Sequence, residues 1–174
     1  MVKSNSELQV ILMLHPNEVS RATNTGQLLM SALPRCQSFI WDRVNPPQGF
    51  IEYISRADIE PFVVFPSEDS IDIFDVVKTK TNKKPVYIIL DGTWQEAKKM
   101  LRKSKWLSQI PAVSLSNIDS PSNYTLRRNQ EQGHLCTLEV GCELLNAEGE
   151  SKQADQLRAF FSHYLDVFQA DRSG

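Results

Sequence analysis

The 174-residue sequence has no apolar run approaching the ~20 residues that a membrane-spanning helix requires. Its opening stretch, MVKSNSELQVILMLHP, carries one lysine and a short apolar segment. No small-residue cleavage site follows, so the segment reads as a strand rather than a signal. A soluble, unprocessed protein with no membrane partner is expected. Cysteine is scarce: Cys36, Cys136 and Cys142 form no CxxC pair, and the three cannot all be joined in disulfides. A reduced, cytoplasmic compartment fits that usage. His15, His134 and His163 lie far apart, with no metal-site partner three or four residues on, so no zinc or other metal is expected. Repeats, linkers and low-complexity tracts are missing too, which leaves a single domain over residues 1–174. Nothing in the chain points to an obligate protein partner. With 41% hydrophobic and 23% charged residues, disorder is excluded over most of its length.

The net charge of −2 says nothing for nucleic acid, but the local distribution does. Lys78, Lys80, Lys83, Lys84, Lys98, Lys99, Arg102, Lys103 and Lys105 are opposed only by Asp91 and Glu96. Arg127 and Arg128 form a second basic pair. Two readings are open: a solvated helix face with a loop, or an electrostatic footprint for a phosphate backbone.

Strand candidates are LQVILML (8–14), SFIW (38–41), PFVVF (61–65), VYIIL (86–90) and AVSLS (112–116). Most are short apolar runs rather than clean alternations, as expected of strands buried on both faces. Helices are expected at 23–33, 93–103, 137–146 and 154–169. At the second of these, Thr93 followed by Glu96 forms a capping box, with Trp94, Ala97 and Leu101 on one face. The last carries an inward stripe of Leu157, Phe160, Phe161, Tyr164, Leu165 and Phe168. RVNPPQG (43–49) reads as a loop, and residues 116–135 form a long, weakly patterned connection of the kind that is usually functional or mobile. Strands alternating with helices predict an α/β fold with a largely parallel sheet flanked by helices.

The sharpest feature is VYIILDGTWQEAKK (86–99), in which a buried strand ends in a carboxylate. Ligands of α/β sheets sit beyond the carboxyl ends of the strands, and Asp91 occupies such an end. Gly92 allows close backbone approach, and the helix beginning at Thr93 favours a negative group at its start. Asp91 has two readings: a helix cap, or a general base or ligand-polar group. Thr93 already supplies a capping side chain, which weakens the first. Trp94 suits either the core or stacking on a base. Other strand tips are FPSED (65–69), where Pro66 ends the strand and Ser67 can cap a helix, and LHPNE (14–18), whose His15 reads as structural.

HPNE…TNTG, DGTWQEAKKM, SNYTLRR and LCTLEVGCELL occur in that order over residues 14–146. In this the chain resembles the DTW-domain family, named for its Asp-x-Thr-Trp motif. The resemblance implies a tRNA-uridine aminocarboxypropyltransferase. Such an enzyme transfers the 3-amino-3-carboxypropyl group of S-adenosylmethionine to N3 of a uridine and releases methylthioadenosine. It also implies a fold related to the SPOUT methyltransferases, with a C-terminal trefoil knot, which topology rules alone would never propose. Two departures stand out. Many members carry an N-terminal cysteine cluster resembling a zinc site, whereas no cysteine precedes Cys36 here, which leaves the grip on tRNA or the RNA preferred open. The family's LSTLEA reads LCTLEV, with Cys136 for a serine and Val140 for an alanine, while Thr137 and Glu139 remain.

Under this resemblance the catalytic residues are Asp91, Thr93 and Trp94. Asp91 is the candidate base for the uridine N3 proton; an ordinary aspartate, with a pKa of about 3.9, is a weak base, so positioning weighs more than basicity. Strand-end backbone around Phe65, Pro66, Leu90 and Leu115 suits the adenosine. Ser67, Gly92, Thr93, Thr137 and Glu139 would serve the rest of the cofactor, its carboxylate included. Lys98, Lys99, Arg102, Arg127 and Arg128 would hold tRNA phosphates; Arg127, in the S-x-Y-x-L-R pattern of Ser122, Tyr124 and Leu126, could instead bind the cofactor carboxylate. The alternatives are a SPOUT-type RNA methyltransferase and a non-catalytic RNA-binding module.

Overall fold

The short apolar runs do become strands; those of the first, third and fifth strands in chain order are largely buried, whereas Cys36–Ile40 has no buried residue. A computed structural model describes residues 6–19, 26–66, 69–79, 81–115, 137–160 and 163. Its strands are β1 (Val10–Leu14), β2 (Cys36–Ile40), β3 (Ile59–Val64), β4 (Ile71–Asp72), β5 (Lys84–Asp91) and β6 (Ala112–Ser114). Its helices are α1 (Gly26–Ala32), α2 (Gln48–Ile54), α3 (Ile73–Lys78), α4 (Trp94–Lys103), α5 (Lys105–Ser108) and α6 (Thr137–Ala147). A 3-10 turn covers Pro16–Glu18, and residues 151–160 are also helical. All six strands lie parallel in the order β2-β1-β5-β3-β6-β4.

The central strand β5 shows how the two faces divide. Val86, Ile88 and Leu90 pack with Phe50, Ala97, Met100 and Leu107 of α2, α4 and α5. Tyr87 and Ile89 pack with Leu29 of α1 and Val140, Leu144 and Leu145 of α6. Because side chains alternate along a strand, Asp91 shares the parity of Tyr87 and Ile89 and falls on the α1–α6 side. Each fully buried Leu or Ile contributes roughly 1.5–3 kcal/mol of burial, so both faces matter to stability.

β1 and β5 are neighbours, with Leu14 opposite Asp91. After β1 the chain passes through α1 on one face to β2; after β5 it passes through α4 and α5 on the other face to β6. The two connections part between β1 and β5, which makes that gap the switch point of the sheet.

The parallel α/β architecture matches the sequence expectation, with three helices and one strand added. β4, α2, α3 and α5 have too few residues to show a period. α2 begins at Gln48, inside the segment expected to be a loop, and what holds it is tertiary: Phe50 is fully buried, and a Cβ on Gly49 would lie 3.1 Å from the Phe39 ring. α3 did carry a local signal, since Asp72 caps it by accepting from the Phe74 N–H at 2.9 Å. β2 begins two residues earlier than expected, and Trp41 follows it. The final helix is under way by residue 151 rather than 154, and of its expected stripe Leu157 is buried and Phe160 half-buried. Phe161, Tyr164, Leu165 and Phe168, the segment 116–135 and the path on which a knot depends lie outside the described residues.

α6 ends in a two-bond Schellman arrangement. Gly149 takes a φ of 83°, its N–H donates to Asn146 O at 3.1 Å, and the Glu150 N–H donates to Leu145 O at 2.8 Å. Just before it, Glu148 accepts the Tyr87 hydroxyl at 2.6 Å and so joins the helix end to β5. Burial, with the Glu148 charge beside it, pushes the Tyr87 phenol well above its ordinary range. Burial also raises Tyr53, and the Cys36 thiol is pushed up to about 12, first by burial and then by the negative charge of Asp91.

These shifts fix a sign. All three groups hold their protons more tightly when folded, so above the unfolded values the unfolded chain binds fewer protons and stability falls as pH rises. Urea unfolding should give a level free energy between about pH 7 and 8, then a decline from about pH 9 that steepens above about 10. Tyr87→Phe and Cys36→Ala should each make the decline shallower. An unchanged slope in both variants would refute the assignment.

Candidate active site

Asp91 is the last residue of β5, and only 2% of its surface is exposed. Thr137, the first residue of α6, is fully buried and donates its Oγ1 hydroxyl to Asp91 Oδ1 at 2.9 Å. A buried carboxylate requires such donors. The positive end of the α6 dipole adds to the preference for negative charge there. This bond joins two sequence segments, DGTW and CTLE, that lie 46 residues apart.

The turn after Asp91 is closed from the other side. Thr93 and Glu96 form the reciprocal capping box expected from their spacing, with the Thr93 N–H donating to Glu96 Oε1 at 2.8 Å and the Glu96 N–H to Thr93 Oγ1 at 3.1 Å. Gly92 sits against this pair: a Cβ there would lie 2.9 Å from Glu96 Oε1 and 3.3 Å from His15 Cβ. The room left by the missing side chain therefore admits Glu96 and His15. Across the β1–β5 gap, the His15 N–H donates to Asp91 O at 2.9 Å. The His15 ring stacks on Trp41 at 5.7 Å with 19° between planes, and its Nδ1 accepts the Asn17 N–H at 3.1 Å. Trp41 in turn donates its Nε1–H to Ser104 Oγ at 2.6 Å, just past α4.

The remaining expected residues fall into three groups. Phe65 and Pro66 follow β3, Leu90 lies in β5 and Leu115 follows β6; those strands are neighbours, so the four stand side by side at the carboxyl edge. The side chains of Phe65, Leu90 and Leu115 are buried in the two cores, which leaves backbone rather than side chain to face a ligand. Lys98, Lys99 and Arg102 are exposed on α4 with Lys103, while Ala97 and Met100 are buried on its opposite side. Ser67, Arg127 and Arg128 lie outside the described residues, as do the side chains of Trp94 and Glu139. No cluster of metal-ligating side chains occurs among the described residues. No helix among them is long and apolar enough to cross a membrane.

His15, Asn17, Trp41 and Glu96 were not singled out as site residues by sequence reasoning. A signal existed for two of them: HPNE stands at a strand tip just as DGTW does. Nothing local pairs Glu96 with a residue 79 positions earlier.

The negative charge of Asp91 contributes to the raised Cys36 thiol, and that gives a test independent of turnover. In Asp91→Asn, the pH titration of the Cys36 13Cβ resonance should fall below that of the wild type, while burial keeps it above the ordinary 9.0. An unmoved titration would show that the Asp91 charge does not act on Cys36.

A parallel sheet with a buried carboxylate at its switch point defines the class: an α/β protein whose candidate site lies beyond the strand ends. The model of the DTW domain matches residues 1–169, and the chain belongs to the DTW-domain family. It is 24% identical over 170 residues to a Drosophila melanogaster protein named tRNA-uridine aminocarboxypropyltransferase 2, covering 94% of this chain and 65% of that protein. It is 25% identical over 134 residues to a Mus musculus protein of the same name, covering 76% and 45% respectively. The chain thus spans under two thirds of the length of these curated relatives. No solved structure matches.

Proposed function

We propose that this chain transfers the 3-amino-3-carboxypropyl group of S-adenosylmethionine to N3 of a uridine in tRNA, releasing methylthioadenosine. Support comes from the family and from the names of its relatives. The observation that carries the reading is the hydrogen bond from Thr137 to Asp91, through which two motif segments meet at the switch point.

The donor's sulfonium makes the neighbouring methylene carbon electrophilic, so the N3–C bond forms as the C–S bond breaks. Asp91 accepts the N3 proton, and Thr137 holds its carboxylate in one orientation. The strand-end backbone at Phe65, Leu90 and Leu115 suits the flat adenosine, offering amides and carbonyls at a dry, apolar edge. Orientation supplies much of the rate: well-aligned reactants gain on the order of 7–11 kcal/mol. Lys98, Lys99 and Arg102 hold phosphates of the RNA. The reacting base ends β5 and the cations lie along the exposed face of α4, so the two are joined through the turn of Gly92 and Thr93.

Unmodified tRNA incubated with the protein and S-adenosylmethionine should yield a uridine heavier by the aminocarboxypropyl group in nucleoside mass spectra. Methylthioadenosine should appear as by-product. A methyl gain with S-adenosylhomocysteine would instead establish a methyltransferase, and RNA binding without any mass gain a non-catalytic module. Asp91→Asn should keep donor binding and lose about 100-fold or more in turnover. Full activity would remove Asp91 as the base.

The basic face has its own readout. Replacing Lys98, Lys99 and Arg102 together by alanine should weaken tRNA binding and reduce the slope of log affinity against log salt by about 2–3. An unchanged slope would move the phosphate contacts elsewhere.

A further inference from the structure

Glu96 uses both carboxylate oxygens, and a helix cap needs only one. Oε1 completes the capping box with the Thr93 N–H at 2.8 Å. Oε2 accepts from Asn17 Nδ2 at 3.0 Å and lies 3.5 Å from His15 Nδ1. Asn17 and His15 belong to the loop after β1, whereas Thr93 and Glu96 follow β5. The carboxylate therefore crosses the switch point from one connection to the other. It does so beside the backbone bond from His15 N to Asp91 O, and over Gly92, where a Cβ would touch both partners. The loop it grips is held in its turn: the His15 ring lies on Trp41, and its Nδ1 accepts the Asn17 N–H. The side chains of His15 and Glu96 are 13% and 14% exposed while Asn17 is exposed, so the bridge is sheltered on its carboxylate side and open to water at Asn17.

We propose that Glu96 is a positioning residue for the transfer reaction: it ties the loop after β1 to the turn after β5 and so fixes where Asp91 stands. The proposal rests on the reading of Asp91 as the base. Misplacement by about 1 Å from outside the chemistry can cost up to about 100-fold in rate, so a lost brace is expected to register in turnover.

Asn17→Ala removes the bridge without replacing either capping-box residue, so Glu96 loses its outer brace and its hold on the Thr93 N–H loosens, and Asn17→Asp sets a second carboxylate against Oε2. The first readout is hydrogen exchange of the Thr93 amide, which reports the bridge whether or not the protein is active. In Asn17→Ala it should quicken about tenfold, with the amides of β5 before Asp91 unchanged. The second readout is kinetic: kcat should fall about tenfold while KM for S-adenosylmethionine stays within twofold. Asn17→Asp should exceed Asn17→Ala in both. Exchange within twofold of wild type, or an unchanged kcat in Asn17→Ala, overturns the proposal. Wild-type protein that transfers no aminocarboxypropyl group overturns the proposed reaction, and faster exchange in the variants would then still establish the bridge.

Discussion

The hydrogen bond between Thr137 and Asp91 is the constraint from which the rest of the site follows. A carboxylate withdrawn from water destabilises the fold unless donors meet it. Meeting it requires the first turn of α6 to stand at the carboxyl end of β5. That placement depends on close approach between α6 and α1: a Cβ on Gly141 would lie 2.5 Å from Leu29 Cδ1. α1 follows β1, and β1 pairs with β5 in the register that sets Leu14 beside Asp91. The contacts form a closed circuit from β5 through β1, α1 and α6 back to Asp91, so each holds the others.

On the opposite face, α4 is held at both ends. Its start is joined to the loop after β1 through Glu96 and Asn17, and the residue after its end, Ser104, accepts a hydrogen bond from Trp41, just past β2. A ten-residue helix rises about 15 Å, and over that span the exposed cations keep a set distance from the carboxylate. Electrostatic attraction along a rigid element brings specificity of position as well as affinity. Asp91 itself faces α6, not α4, so the carboxylate and the basic face belong to different layers that meet only at the turn of Gly92 and Thr93.

Much of this was legible in local pattern. The runs that became β1, β3, β5 and β6 read as strands because burial on both faces removes alternation and leaves continuous apolar stretches. The capping box of Thr93 and Glu96 was legible from spacing alone, since both bonds close within one turn. Asp91 stood out because a charge at the end of an apolar run has no packing reason to be there. α2 and α5 were not legible: seven and four residues carry no helical period, and their helicity is owed to Phe50 and Leu107 being buried. The basic run on α4 was visible as composition, and the structure sorts it by exposing Lys98, Lys99 and Arg102 while burying Ala97 and Met100.

By itself the sequence determined the alternation of strand and helix, the carboxylate at the tip of β5 and the kinship with the DTW-domain family. Each of these is encoded in neighbouring residues or ordered motifs. Tertiary structure alone decided that Thr137 would be the partner of Asp91, that Gly92 would make room for Glu96 and His15, and that Glu96 would reach back to Asn17. The physical reason is that a parallel sheet orders its strands by crossover connections rather than by chain sequence. Residues dozens of positions apart then share one edge, and only packed layers can set which of them come within hydrogen-bonding reach.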